Sequence, residues 1–327
     1  MIDCTDTLDA PAKPAARFHG LRLAVLVPCH NEALSIEQVI MDFRRTLPEA
    51  EIYVYDNCST DGTAEVARRA GATVRREPVP GKGNVVRRMF SDIDADVYLM
   101  VDGDATYDPQ AAPAMVNKLL EEEVDMVVGA RQNIFDEAHR FGHGFGNRLF
   151  NTLFHRFFGR RFVDIFSGYR AFSRRFVKTF PAISAGFEIE TEMSFHAAQL
   201  RLPVAELSTA YGKRLEGSSS KLRTFHDALR ILRTFVLLLK EGRPAAFFLS
   251  IASVLALVAL VLGYPLLVTF LETGLVPRLP TAVLATGLIL LSGMSLMCGL
   301  ILDNVTRGHL EQKRIAYLGI PRTGERG

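Results

Sequence analysis

Residues 97–104, Val-Tyr-Leu-Met-Val-Asp-Gly-Asp, decide the fold because they join a short apolar run to two closely spaced carboxylates. The run predicts a buried strand. In an open parallel sheet, ligands bind beyond the carboxyl ends of the strands. Asp102 and Asp104 are therefore expected to face a ligand. Two carboxylates at this spacing suit Mg²⁺ or Mn²⁺ bridging a diphosphate, a signal that is weak alone and strengthened by the preceding strand.

Outward from this stretch, apolar runs alternate with helical patterns. Strands are predicted at 21–28, 51–56, 72–76, 97–102, 125–130 and 203–209. Helices are predicted after a capping box at Ser35–Gln38 and at 63–70, 83–90, 144–158 and 188–200. This alternation predicts an α/β fold whose sheet is mainly parallel and covered by helices on both faces.

Carboxylates follow three of the predicted strands. Glu32 comes shortly after the first strand, Asp56 ends the second, and Asp102 and Asp104 follow the fourth. Asp56 could accept hydrogen bonds from a base or a ribose. Lys82 lies in a Gly-Lys-Gly turn that lacks the P-loop pattern, and no GxGxxG follows the first strand, which counts against a dinucleotide enzyme.

The 327 residues are 48% hydrophobic, and the excess lies in two runs. Residues 245–271 and 282–302 are each long enough to span a bilayer, and the short linker makes them a hairpin. Lys and Arg are concentrated outside the hairpin, which predicts that both ends are cytoplasmic. The net charge of +2 argues against a nucleic-acid partner.

These features divide the chain into five parts. We expect a disordered tail at 1–20, an α/β catalytic domain at 21–220, a basic amphipathic helix lying on the bilayer at 221–243, two transmembrane helices at 244–302, and a cytoplasmic tail at 303–327. Residues 1–17 lack the apolar core of a signal peptide.

The order of the motifs resembles family 2 glycosyltransferases of the GT-A (Rossmann-like) fold. The motifs are PCHNE, YDNCSTDGT, GKG, VDGDATYDP and GAR. Downstream, GNRLFN, DIFSGYRAF, GFEIETEM and YGKRLEGSSSKL look like the polyprenyl-phosphate branch, which includes dolichyl-phosphate mannosyltransferase and bactoprenyl glucosyltransferases. The resemblance covers about residues 21–240, and the two-span hairpin resembles the bacterial members.

The resemblance implies a role for each matching residue. Catalysis would fall to Asp102, Asp104, Arg131 and Arg214, with the metal on Asp102 and Asp104. The nucleotide would be bound by Pro28, Glu32, Asp56, Lys82, Asp102, Gly103 and Arg131. The acceptor would be bound by Arg148, Asp164, Ser167, Arg170, Arg214 and Lys221, and Glu188 and Glu190 would lie near the sugar. Thr106 stands where many relatives have a metal-contacting Gln, which leaves one candidate ligand fewer.

The expected activity is inverting transfer of a sugar from a nucleotide sugar to a polyprenyl phosphate, by a multi-pass inner-membrane protein that could form homo-oligomers. UDP-glucose is the first expectation for the donor; GDP-mannose and other UDP-sugars remain open. A processive polysaccharide synthase would need a QxxRW motif, and the chain has no Trp. A sugar nucleotidyltransferase would need a Gly-rich phosphate loop. The carboxylates at the strand ends, Glu32, Asp56, Asp102 and Asp104, form what we call the acidic rim. A non-enzymatic membrane scaffold or lipid-translocation partner would leave this acidic rim without a purpose.

Overall fold

A computed structural model describes residues 20–132, 162–212 and 236–324, together with Phe18, Thr152 and His155. Seven strands form one sheet: β1 Leu23–Cys29, β2 Glu51–Asp56, β3 Thr73–Arg76, β4 Val97–Met100, β5 Met126–Arg131, β6 Arg170–Ser173 and β7 Val204–Thr209. Their order is β3-β2-β1-β4-β6-β5-β7. All neighbours are parallel except β6, which is antiparallel to both β4 and β5.

Helices cover both faces of this sheet. They are α1 Ile36–Thr46, α2 Thr63–Arg69, α3 Lys82–Asp92, α4 Ala112–Glu121, α5 Arg174–Thr179 and α6 Ile189–Leu200, with a 3₁₀ turn at Pro109–Ala111. One apolar core joins the sheet to α1, α2 and α4, and the other joins it to α3, α5 and α6. The predicted α/β architecture is confirmed.

Two local predictions differ from the structure. Strand β6 was not predicted, because its four residues Arg-Ala-Phe-Ser are all buried and show neither alternation nor a branched apolar run. The predicted capping box at Ser35 is wrong. Ser35 makes no side-chain cap, and its hydroxyl donates instead to the backbone carbonyl of Gly103 at 2.6 Å. The start of α1 is thereby tied to the loop that carries the two aspartates.

Two further helices, α7 Pro244–Thr273 and α8 Leu279–Leu318, are long and apolar enough to cross a membrane. Only 11% of the most apolar window of each is buried, so most of their apolar surface is exposed. They pack on each other through small side chains. Ser292 and Ser295 donate hydrogen bonds to backbone carbonyls of α7, and Gly299 lies against Phe248.

Helix α8 does not end where its apolar part ends. The predicted boundary at residue 302 falls inside a continuous helix, and the segment beyond it contacts the α/β domain. Lys313 donates to Gln199, Arg314 donates to the Leu200 carbonyl, and the Tyr317 hydroxyl donates to Asp125 at 2.8 Å. These contacts lie at the amino-terminal edge of the sheet, opposite the edge that carries the candidate site.

Candidate active site

The candidate site lies at the carboxyl-terminal edge of the sheet, where β1, β2 and β4 end side by side. Pro28 and Glu32 come from the end of β1 and its loop, Asp56 ends β2, and the Asp-Gly-Asp loop follows β4. Gly103 passes so close to β1 that a Cβ atom there would lie 2.6 Å from the Cys29 sulfur. The structure therefore brings together the acidic rim that the strand ends predicted.

Asp56 and Asn57 lie at the carboxyl end of β2, beside the segment that follows β3. The Asn57 amide group donates to the carbonyls of Glu77 and Val79 and accepts from the Gly81 N–H at 2.7 Å, which fixes the segment after β3. Asp56 is buried, and its Oδ1 atom has no hydrogen-bond partner within the described part of the chain. A buried oxygen without a donor is costly, so this atom is suited to accept a hydrogen bond from a ligand.

The Asp-Gly-Asp loop presents one partly exposed and one buried carboxylate. The Asp102 side chain is 29% exposed. Asp104 is buried, and its Oδ1 accepts from the N–H and the hydroxyl of Thr106, at 3.2 and 2.6 Å. Thr106 therefore orients Asp104.

A divalent cation fits this donor set when a substrate completes it. Across the described ranges, no group of three or more His, Cys, Asp or Glu side chains is arranged to hold a metal ion. Mg²⁺ is commonly bound by one or two carboxylates together with substrate phosphates, which is what Asp102 and Asp104 can offer.

Lys82 joins the Asp-Gly-Asp loop to helix α6. Its Nζ atom lies 2.5 Å from Asp102 Oδ1 and 2.5 Å from Glu190 Oε1, and its side chain is only 9% exposed. Burial alone would lower the pKa of Lys82, but the two carboxylates outweigh it and raise that pKa above its ordinary value. For Glu190, burial raises the pKa and Lys82 only partly opposes this. Sequence analysis assigned all three residues to the site, but no local pattern predicted that Lys82 bridges the two carboxylates, because the three are far apart in the chain.

Arg131 ends β5 and forms a two-point ion pair with Asp164. Its Nε and Nη2 atoms donate to the two carboxylate oxygens at 2.6 and 2.9 Å, and its guanidinium lies 5.3 Å from the Tyr211 ring centre. Burial would lower the pKa of Arg131, but Asp164 outweighs it and the pKa is raised. Arg131, which was predicted to bind the nucleotide, and Asp164, which was predicted to bind the acceptor, are thus partners of each other.

Ser167 and Arg170, both predicted to bind the acceptor, lie in the interior rather than at the surface. Both are fully buried. Ser167 donates to the Gly129 carbonyl, while Arg170 donates to the carbonyls of Ser167 and Ile165 and to the Ser194 hydroxyl. Burial lowers the pKa of Arg170 to about 10. In this conformation the two side chains hold residues 165–170 in place and do not reach a ligand directly.

Three predicted site residues, Arg148, Arg214 and Lys221, lie outside the described residues. The same is true of the predicted helix 144–158, apart from Thr152 and His155, and of residues 221–235 of the predicted amphipathic helix. Tyr211 and Gly212 bring the chain to the rim just before Arg214. Tyr211 pairs with Tyr107 in an antiparallel bridge, and the Gly212 N–H donates to the Thr106 carbonyl at 2.7 Å. The chain that leads to Arg214 therefore starts beside the Asp-Gly-Asp loop.

Known proteins are similar to this chain in sequence and in fold. A family model described as glycosyl transferase family 2 matches residues 24–180. Protein RfbJ of Shigella flexneri is 58% identical over 127 residues, which are 38% of this chain and 98% of that protein. Glycosyltransferase AglJ of Haloferax volcanii is 35% identical over 304 residues, which are 90% of this chain and 98% of that protein.

More distant matches come from a curated enzyme and a solved structure. The undecaprenyl-phosphate mannosyltransferase of Micrococcus luteus is 23% identical over 61% of this chain and 87% of its own length. The crystal structure of glucosyl-3-phosphoglycerate synthase from Mycobacterium tuberculosis, in complex with Mn²⁺, UDP and glucosyl-3-phosphoglycerate, has a TM-score of 0.54 at 22% identity, covering 68% of this chain and 80% of that one.

The likeness to AglJ extends over nearly the whole of both chains, and the family model covers the strands that carry the acidic rim. The solved structure shares the fold. The chain is a glycosyltransferase of family 2 with the GT-A fold.

Proposed function

We propose that this enzyme transfers a hexose from a nucleotide sugar to a polyprenyl phosphate, with inversion at the anomeric carbon. The product would be a polyprenyl-phosphate-linked monosaccharide for cell-envelope glycan synthesis or modification. UDP-glucose is the donor to test first, followed by GDP-mannose and other UDP-sugars. The observation that carries the proposal is that the acidic rim and two exposed apolar helices belong to one chain.

The donor side of the proposal rests on the rim. Asp56 offers a buried, unpartnered oxygen to the nucleoside, and Asn57 fixes the backbone around it. Asp102 and Asp104 would hold Mg²⁺ or Mn²⁺, which when bound offsets charge on the departing diphosphate. The Mn²⁺ and UDP bound in the structurally similar synthase support this assignment.

The acceptor side rests on the apolar helices and on the relatives. A polyprenyl phosphate stays in the bilayer with its phosphate at headgroup depth, so an enzyme anchored by α7 and α8 meets it in place. The Micrococcus luteus relative is named for a lipid acceptor of this class. The positive-inside pattern supports a catalytic domain on the cytoplasmic side of the membrane.

The chemistry asks the protein mainly for alignment. A phosphate monoester has its second pKa near ~6, so the acceptor is already an anion at cytoplasmic pH and needs little help from a general base. Arg131, aimed by Asp164 and Tyr211, would orient an incoming phosphate. Arg148, Arg214 and Lys221 stay predicted contacts for the diphosphate and the acceptor. Attack of the phosphate oxygen on the anomeric carbon, opposite the departing diphosphate, inverts its configuration.

The proposal is tested with the full chain purified in detergent. Each nucleotide sugar is offered together with a short-chain polyprenyl phosphate and Mg²⁺ or Mn²⁺, and the lipid phase is analysed for sugar by mass spectrometry. We expect one donor to give a monosaccharide lipid with inverted configuration. The matched control is the polyprenol without phosphate, which should accept no sugar.

Other results would redirect the assignment. Growing oligosaccharide products would indicate a processive synthase. Transfer to a soluble acceptor but not to any polyprenyl phosphate would overturn the lipid acceptor while leaving the family assignment intact. No transfer from any donor would favour a membrane scaffold.

A further inference from the structure

The ammonium group of Lys82 already binds the carboxylate of Asp102, which a metal ion would need as a ligand. Its Nζ atom lies 2.5 Å from Asp102 Oδ1. The other oxygen faces Gly168, and only a glycine fits there, because an added Cβ atom would lie 2.6 Å from Asp102 Oδ2. A divalent cation bound to Asp102 Oδ1 would share this oxygen with Lys82, and the two positive charges would repel each other at such short range.

Glu190 offers Lys82 somewhere else to go. Its Oε1 atom already accepts from Lys82 at 2.5 Å. Its Oε2 atom is buried and has no hydrogen-bond partner among the described residues. An ammonium group has three donors and turns freely about its stem, so a small shift would let Lys82 bind both oxygens of Glu190.

We propose that Lys82 is an exchangeable internal cation with two positions. In the first, it bridges Asp102 and Glu190 and neutralises Asp102 while no metal is bound. In the second, it pairs with both oxygens of Glu190 and leaves Asp102 to the divalent cation. The unpartnered Glu190 Oε2 is the acceptor of the second position. Lys82 is then a positioning residue for the metal, and this inference rests on the metal site of the proposed function.

If Lys82 moves between two positions, the effects of substituting Lys82 and Glu190 on metal affinity should not be additive. If Lys82 competes with the metal, Lys82→Met should tighten metal binding, and Glu190→Gln should weaken it by holding Lys82 on Asp102. Once Lys82 is absent, Glu190 has nothing to remove from Asp102. The effect of Glu190→Gln should therefore disappear in the Lys82→Met background, whereas independent charges would add.

The test is a double-mutant cycle on the full chain in detergent, with Mn²⁺ binding measured by electron paramagnetic resonance, with and without UDP. We expect Lys82→Met to bind Mn²⁺ at least about fivefold more tightly and Glu190→Gln at least about fivefold more weakly, as befits coupled sites. Lys118→Met is the matched control, because Lys118 pairs with Glu122 on the surface at 2.6 Å and should leave Mn²⁺ affinity unchanged.

Each remaining outcome is informative. Additive effects of the two substitutions, or looser binding in Lys82→Met, overturn the exchange while the metal site stands. Absence of Mn²⁺ binding in every protein, with melting temperatures unchanged, overturns the metal site and the exchange together. If Glu190→Gln does not fold, Glu190→Asp, which keeps the charge and shortens the reach, should weaken Mn²⁺ binding; unchanged binding in that variant overturns the second position.

Discussion

At the scale of single residues, the site is organised by side chains that hold its charged groups in place. Asp164 aims Arg131, Thr106 orients Asp104, and Lys82 balances Asp102 against Glu190. Arg131 with Asp164, and Asp104 with Thr106, are largely buried and are held in one geometry before substrate arrives. Preorganised charge of this kind is what stabilises a transition state without reorganisation during the reaction.

Asp104→Asn should remove most turnover and leave the fold intact. The substituted amide can still accept the two Thr106 hydrogen bonds, but it has lost the charge that would hold a divalent cation. We expect kcat/KM to fall at least about a hundredfold, or ~2.7 kcal/mol. Asp108→Asn, four residues further along, is the control, because the Asp108 carboxylate accepts from the Gln110 N–H and caps the 3₁₀ turn. Full activity of Asp104→Asn, or of the wild type in EDTA, would contradict the metal assignment.

His196 predicts a loss of stability in acid. Burial between Phe176 and Phe180, and then the charge of Lys313, lower its pKa to about 3. The unfolded chain takes up this proton near pH 6.5, so the folded state binds fewer protons between these values. The stability linked to neutral His196 is complete above pH 6.5 and is lost towards pH 3, by up to about 1.4 kcal/mol per pH unit.

The measurement is the melting temperature between pH 7 and pH 4 for the wild type and for His196→Phe. We expect the wild type to lose stability more steeply, because the phenylalanine ring has nothing to protonate. Parallel curves for the two proteins would show that His196 is not kept neutral by the fold.

At the scale of elements, the site depends on how the start of α3 meets the segment before α6. The Gly83 N–H donates to the Ala185 carbonyl at 3.0 Å, and the Glu192 carboxylate accepts from the N–H groups of Ile183 and Ser184. This contact places Lys82, the first residue of α3, next to Glu190 in α6.

Gly83→Ala should therefore disturb both stability and site. A Cβ atom at residue 83 would lie 2.0 Å from the Ser184 carbonyl oxygen, which belongs to the backbone and cannot turn away. We expect a loss of at least about 2 kcal/mol, seen as a lower melting temperature, together with reduced turnover. Gly263→Ala is the control, because nothing lies within 4 Å of the added atom. Equal melting temperatures for the two variants would contradict this packing.

The elements also show what sequence patterns could and could not predict. Strands β1 to β5 and β7 were predicted to within two residues at each end, because each lies next to a turn or a helical pattern and most of them, though not β3, are apolar runs. The carboxylates at their ends followed from parallel strands sharing one edge. Strand β6 and the Lys82–Glu190 contact were missed, because both depend on packing between segments far apart in the chain. Such packing leaves no local pattern to read.

At the scale of the whole molecule, one polypeptide joins a water-exposed catalytic edge to an apolar hairpin. Basic residues flank the hairpin, and Arg278 is the one basic residue in its linker at 272–281. The arrangement predicts that this linker lies on the far side of the membrane from the catalytic domain.

A cysteine placed at Thr273 should thus react with a membrane-impermeant thiol reagent in intact cells, after Cys4, Cys29, Cys58 and Cys298 are replaced. The matched control is a cysteine at Gln312, an exposed position on the part of α8 that extends past the apolar run. That position should be labelled only after lysis. The reverse pattern of labelling would refute the orientation.

The docking of α8 on the domain has a consequence for biosynthesis. Lys313, Arg314 and Tyr317 are translated after both apolar helices, yet they complete contacts with Gln199, Leu200 and Asp125, which are translated long before. The catalytic domain therefore reaches its final set of contacts only after the second apolar helix has left the ribosome. In a shortened chain that stops before residue 244, Gln199, Leu200 and Asp125 would lack these contacts with α8. Completion of the domain's contacts thus depends on synthesis of the last long helix.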